Sequence, residues 1–288
     1  MDAPPGREDT RPFIRIAEKF LSVGLNVPKI IEADVEEGFL LLSDLGSQTY
    51  LQSLNPQTVE RLYGDAMGAL IVLQAGTYTA PDFLPAYSRR LLLDEMELFR
   101  EWLLIRHLQM ELTDELQRLL DDSFDRLAEV ALEQPPVWVH RDYHSRNLML
   151  TNRHNPGILD FQDGVSGPIT YDLVSLLKDC YIAWPREQVE SWVKGYYQLA
   201  RDSGLQPGDD DAQFLRWFDY MGIQRHLKAS GIFARLWHRD GKPGYLGDIA
   251  RTLDYISSLE TVYPELDPLI QLVKSLDRTA ISGARTSV

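Results

Sequence analysis

The sequence predicts an α+β protein: a small α/β segment leading into a mainly helical lobe that carries a short β-insert. Three observations predict it. Helical periodicity dominates from about residue 57 to 276. Two short apolar runs flank the turn Glu36-Glu37-Gly38. Three more, at 137–139, 148–150 and 157–161, interrupt the helices and are joined by polar loops.

In chain order, residues 13–23 place Phe13, Ile16, Ala17 and Phe20 at helical spacing, with Gly24 as a C-terminal cap. Asn26-Val27-Pro28 breaks this helix, and 29–33 and 39–43 read as strands. Asp44-Leu45-Gly46 ends the second strand, and a linker runs to Asn55-Pro56, an N-cap and first-turn pair. Helices follow over 57–75, 88–107 and 113–133, the last capped by Thr113. After the β-insert they resume over 173–182, 186–202, 211–238, 247–262 and 266–276. Residues 277–288 are polar and small and read as a frayed tail. Gly64 and Gly68, one turn apart, suggest close helix packing. The expected organisation is 1–46, 47–276 as a helical lobe, and 277–288 as a flexible tail.

The formal charge of −14 argues against a nucleic-acid partner, whose phosphates need a basic face, and against anionic membrane surfaces. No window approaches the roughly 18 apolar residues of a membrane span. The N-terminus has no basic segment followed by an apolar one, so no signal peptide is read there. A single cysteine, Cys180, rules out an internal disulfide and fits a reducing cytoplasm. The acid is unevenly spread: residues 225–242 carry Arg225, Lys228, Arg235, Arg239, Lys242 and two histidines against one acid, Asp240.

The chemical signal lies in the loops of the β-insert. His140-Arg141-Asp142-Tyr143-His144-Ser145-Arg146-Asn147 matches H-R-D-x-x-x-x-N, and Asp160-Phe161-Gln162, a variant of D-F-G, closes the next strand. Phosphoryl transfer needs a carboxylate to orient the attacking hydroxyl and accept its proton, the role read for Asp142. It also needs hard oxygen ligands for Mg²⁺, read for Asn147 and Asp160. Two other readings stand beside this one. Asp142, Asn147 and Asp160 could be turn and strand-end residues. His140, Asp142 and His144 could be metal ligands of a hydrolase, although His107, His154, His226 and His238 are too scattered to complete a shell. His140 itself reads as a packed framework residue.

HRDYHSRN, followed by ILDFQD and GPITYDLVSLLKD, resembles the aminoglycoside phosphotransferase and choline kinase-like family. The resemblance covers nearly the whole chain from Phe13. It implies a protein-kinase-like bilobal fold with ATP and Mg²⁺ between the lobes. Ser43, Asp44 and Leu45 would form the hinge that receives adenine, Asp172 would brace the loop at 140–147, and Asp163 would support the metal. The segments GLNVP, GFLLLSDLG and FARLWHRDGKPGYLGDI are similar to the anomeric sugar kinases of cell-wall recycling. That similarity implies a small-molecule sugar acceptor, N-acetylmuramate or N-acetylglucosamine, phosphorylated at its anomeric hydroxyl. N-acetylmuramate carries a carboxylate and wants Arg or Lys. Arg235, His238 and Arg239 of the basic stretch are candidates for it, with Trp237 as a stacking surface; a solvated helix end accounts for the same residues. Another hydroxyl compound, such as an aminoglycoside or amino alcohol, or a catalytically silent binding module, remain as alternatives.

The sequence departs from the family in one respect. Such kinases close over ATP with a glycine-rich loop and a strand lysine, and neither is found ahead of the first helix. Lys19 and Lys29 fall outside the expected strand, and Glu18 is the candidate for the lysine's partner. Either the chain is N-terminally truncated, with an incomplete nucleotide lobe, or it has lost this closure. In both cases one sheet edge and one apolar face should be left open, and ATP should bind weakly.

Overall fold

The computed structural model describes residues 1–4 and 9–282. Helix α1 (Arg11–Ser22) buries the expected stripe of Phe13, Ile16, Ala17 and Phe20. Strands β1 (Ile30–Asp34) and β2 (Phe39–Leu42) form an antiparallel hairpin, with Gly38 at a positive φ of 78° in its turn. The outer edge of β2 is not left open as expected. The Met1 amino group donates to the Leu40 carbonyl at 2.8 Å, and the Ala3 N–H donates to Gly38 at 3.0 Å. The apolar face of the hairpin does stay in solvent, where Ile31, Phe39 and Leu41 are exposed.

A short helix that the sequence reading missed, α2 (Tyr50–Ser53), is closed by a Thr49–Gln52 capping box. Asn55 accepts N–H bonds from Gln57 and Thr58, so it caps a turn, and α3 (Val59–Ala75) begins after it. Gly64 and Gly68 on α3 have no neighbour within 4 Å of where a Cβ would stand, so the expected close packing is absent. Helix α4 (Arg89–Leu98), capped by Ser88, continues as a π-helical stretch, Phe99–His107. Thr113 caps α5 (Asp114–Glu133) as read from the sequence.

The β-insert has four strands, not three. β3 (Pro136–Val139) pairs antiparallel with β6 (Val165–Pro168), and β4 (Leu148–Met149) with β5 (Gly157–Ile158). Helix α6 (Tyr171–Leu177) stops short of the expected residue 182, because Lys178 and Asp179 leave the helix to make buried polar contacts. Then come α7 (Arg186–Asp202), α8 (Asp211–Asp240), α9 (Leu246–Ser257), α10 (Asp267–Ser275) and α11 (Arg278–Ile281).

The centre of α8 is buried on every side, as expected of a helix threaded through a lobe. The start of the expected tail is folded: Asp277 caps α11, and Ile281 is buried. Residues 283–288 of that expectation lie outside the described residues. The apolar core is continuous across residue 46, since Phe13 of α1 stacks on Phe161 at 4.8 Å and Phe20 stacks on Trp138 at 6.0 Å. Among the described residues no helix is long and apolar enough to cross a membrane.

Candidate active site

The β4–β5 ladder pairs Leu148 with Ile158, which puts the residue before β4, Asn147, beside the residues after β5. The Leu159 N–H donates to the Asn147 carbonyl at 2.9 Å and locks that alignment. As a result the Asn147 Nδ2 lies 3.2 Å from Asp160 Oδ2, and it also donates to the Asp142 carbonyl at 3.1 Å. The three residues spaced along the sequence motif therefore meet. Both of these contacts run through the Asn147 amide nitrogen. An amide oxygen and a carboxylate are the hard donors that would suit Mg²⁺. Gln162 donates to Asp160 Oδ1 at 2.9 Å and orients that carboxylate.

The loop at 140–147 is held in a costly shape. Arg141 has φ 77° and Asp160 φ 64°, a region costing non-glycine residues about 1–3 kcal/mol each. The compensating bonds are visible. Asp172, fully buried in the first turn of α6, accepts the His140 N–H at 2.6 Å and the Arg141 N–H at 3.0 Å. The Arg141 carbonyl accepts from Arg225 at 3.3 Å. The Arg141 guanidinium lies 2.6 Å from buried Glu95, which also pairs with Lys228 at 2.8 Å and accepts from Gln224 and Tyr87. On the other side, Asp179 accepts the Ser145 N–H at 2.9 Å.

Electrostatics follow from this packing. Burial alone would raise the Asp142 carboxyl, but nearby positive charge, Lys228 foremost and Arg225 with it, outweighs it and holds it below the ordinary value. Burial pushes Asp172 up to about 7, against the pull of the His140 N–H and of Arg225. His140 is driven down to about 4 by burial, and the Asp142 N–H donates to its Nδ1 at 3.2 Å. His140 is thus a neutral framework residue, while His144 packs edge-on against Tyr181. The two rings do not converge with Asp142 as a hydrolase shell would require, and among the described residues no group of three His, Cys, Asp or Glu side chains could hold a metal.

The other residues singled out in the sequence divide into two groups. Ser43 exchanges hydrogen bonds with Lys29 at 2.8 Å, Asp44 is exposed and caps Gly46, and Leu45 lies over Gly157. A Cβ on Gly157 would come within 3.0 Å of the Leu45 side chain, so the segment after β2 rests directly on β5. Asp163 is exposed, and its carbonyl accepts from Arg141 at 3.4 Å. Arg235, Trp237, His238 and Arg239, by contrast, are not brought to Asp142. His238 meets His107 at 3.0 Å, Arg239 pairs with Asp240, and Trp237 is exposed. The helical period decides this: the α8 residues sharing a cavity of about 200 Å³ with Asp142 are Arg225, Lys228, Ala229, Ile232, Phe233 and Leu236. Tyr245, just before α9, closes the cavity beside Tyr181, and Arg146 lies 3.6 Å above the Tyr181 ring.

Comparison with known proteins is consistent with this geometry. The model of the phosphotransferase enzyme family matches residues 1–218. An N-acetylmuramate/N-acetylglucosamine kinase of Pseudomonas aeruginosa is 46% identical over 280 residues, covering 97% of this chain and 82% of its own length. Among solved structures, a choline/ethanolamine kinase family protein from Mesorhizobium loti has a TM-score of 0.60 at 15% identity, over 94% of this chain and 85% of that one. The GDP complex of wild-type aminoglycoside 2′-phosphotransferase-IIIa has a TM-score of 0.56, also at 15% identity, over 85% and 79%.

Proposed function

Since the chain belongs to the phosphotransferase enzyme family, we propose that it moves the γ-phosphoryl group of ATP to the anomeric hydroxyl of N-acetylmuramate or N-acetylglucosamine. The observation that carries the reading is that Asn147 bonds both the Asp142 backbone carbonyl and the Asp160 carboxylate, with Asp142 lining a cavity. Asp142, kept ionised by its cationic neighbours, accepts the acceptor's hydroxyl hydrogen bond and aims its oxygen. As that oxygen bonds to the γ-phosphorus, its proton passes to Asp142, and the bond from phosphorus to the departing nucleoside diphosphate breaks. Asn147 and Asp160 hold Mg²⁺, which neutralises charge on the phosphate oxygens. Ser43, Asp44 and Leu45 offer backbone groups to the base, Asp163 supports the metal from outside its first ligands, and Asp172 fixes the loop that carries Asp142.

An aminoglycoside or amino alcohol would bring ammonium groups to a cavity shared by Arg225 and Lys228, so a neutral or acidic sugar fits better. The reducing environment read from the lone, buried Cys180 accords with action in the cytoplasm. The test is transfer from labelled ATP to both N-acetyl sugars with Mg²⁺ present, reading the acid-labile anomeric phosphate. Asp142→Asn should lower kcat about 10²- to 10⁴-fold without unfolding the chain. Failure of both sugars to accept phosphate would defeat the reading.

A further inference from the structure

We propose that Arg225, seconded by Lys228, forms an anion subsite in the acceptor cavity that takes a carboxylate carried by the sugar, and so sets the preference between acidic and neutral acceptors. This rests on the phosphotransferase reading above and assigns residues to one part of that site.

The cavity beside Asp142 is lined by polar and charged residues, among them Arg225, Lys228, His144 and Ser175. The charges indicate the sign of an occupant. Glu95 is already matched by two cations, Arg141 at 2.6 Å and Lys228 at 2.8 Å. Lys228 gives a second hydrogen to Tyr171 at 3.0 Å, which leaves one of its three unassigned. Arg225 is 9% exposed and forms no ion pair among the described residues. Its guanidinium gives one bond to the Arg141 carbonyl and lies 4.8 Å from the Tyr171 ring centroid. The acids facing the same cavity are otherwise engaged: both Asp179 oxygens accept backbone N–H groups, from Ser145 and Tyr181, and Asp142 is reserved for the hydroxyl. A buried guanidinium with no carboxylate in an ion pair with it, beside a half-committed ammonium, is a carboxylate receptor. Of the two acceptors in the proposed function, only N-acetylmuramate carries that group.

Two measurements test this. In the unmodified chain, N-acetylmuramate is compared with its neutral carboxamide as acceptor; kcat/KM should fall at least tenfold for the amide, and equal values would overturn the subsite. Separately, Arg225→Met is compared with Arg225→Lys, using the ratio of kcat/KM for N-acetylmuramate over N-acetylglucosamine. The ratio should drop at least tenfold in the methionine variant and recover in large part with lysine. A loss shared equally by both sugars would mean that Arg225 only braces the Arg141 carbonyl, and the proposal would be wrong. If the unmodified chain phosphorylates neither sugar, it is the broader reading of function that fails, a result distinct from both.

Discussion

His226 is enclosed by the lobe, with Nε2 2.9 Å from the Lys178 carbonyl and its ring stacked 4.7 Å from Tyr255. Burial drives its pKa down to about 3, with the bond to Lys178 pulling only weakly the other way. The unfolded chain takes up this proton near pH 6.5, whereas the folded chain refuses it until about pH 3. The stabilisation is therefore complete above about pH 6.5 and is lost as the pH falls, amounting to about 2 kcal/mol by pH 5. Urea unfolding at pH 7 and pH 5 should show a loss smaller by about that amount in His226→Gln than in the parent chain; the same pH dependence in both would refute the assignment. At this scale the site was only half legible. Asp142, Asn147 and Asp160 could be read because a short spacing on a strand–loop–strand fixes them. Glu95, Asp179 and Arg225 reach the same loop from 46, 34 and 84 residues away along the chain, and no local pattern marks such contacts.

Elements with strong local signals were read nearly to the residue. Helix α7 spans Arg186–Asp202 as expected, and α5 starts behind its Thr113 cap. Elements made by tertiary pairing were not. β6 reads Val-Ser-Gly-Pro, which has no strand pattern; its pairing with β3 makes it a strand, with Gly167 beneath the Tyr87 ring. Glycines in helices show the same division. Gly231 of α8 crosses the junction of α4 and the π-helical stretch so closely that a Cβ would stand 2.3 Å from the Leu98 carbonyl carbon and 2.5 Å from the Phe99 nitrogen. Both neighbours are backbone and cannot swing aside. Gly231→Ala should destabilise the fold by about 2 kcal/mol or more. Gly64→Ala on α3, with nothing within 4 Å, should stabilise it by about 0.5–1 kcal/mol through helix propensity alone. Thermal unfolding of the pair checks both, and a neutral Gly231→Ala would contradict the crossing geometry.

At the scale of the whole molecule, the hairpin and α1 are not a loosely tethered unit. Phe13 and Phe20 pack on Phe161, the residue next to Asp160, and Leu45, just after β2, rests on Gly157 at the start of β5. A nucleotide whose base meets residues 43–45, as proposed, and whose phosphates meet Asp160 would touch both ends of this packed path. It would then bind the folded chain and not the unfolded one. Linkage sets the size of the effect: at a hundred times its Kd, magnesium–ATP should stabilise the chain by about 2.7 kcal/mol. For a chain of this length that is a rise in Tm of about 4–5 °C. Asp160→Asn keeps the size of the side chain and removes the charge proposed to hold the metal, so the difference between ATP with magnesium and ATP with a chelator should vanish in that variant. The free variant should melt within about 2 °C of the parent, because Asp160 is exposed, and an asparagine there still accepts from Asn147 while the Gln162 amide can turn to accept from it. A magnesium-dependent shift as large in Asp160→Asn as in the parent would place the metal elsewhere.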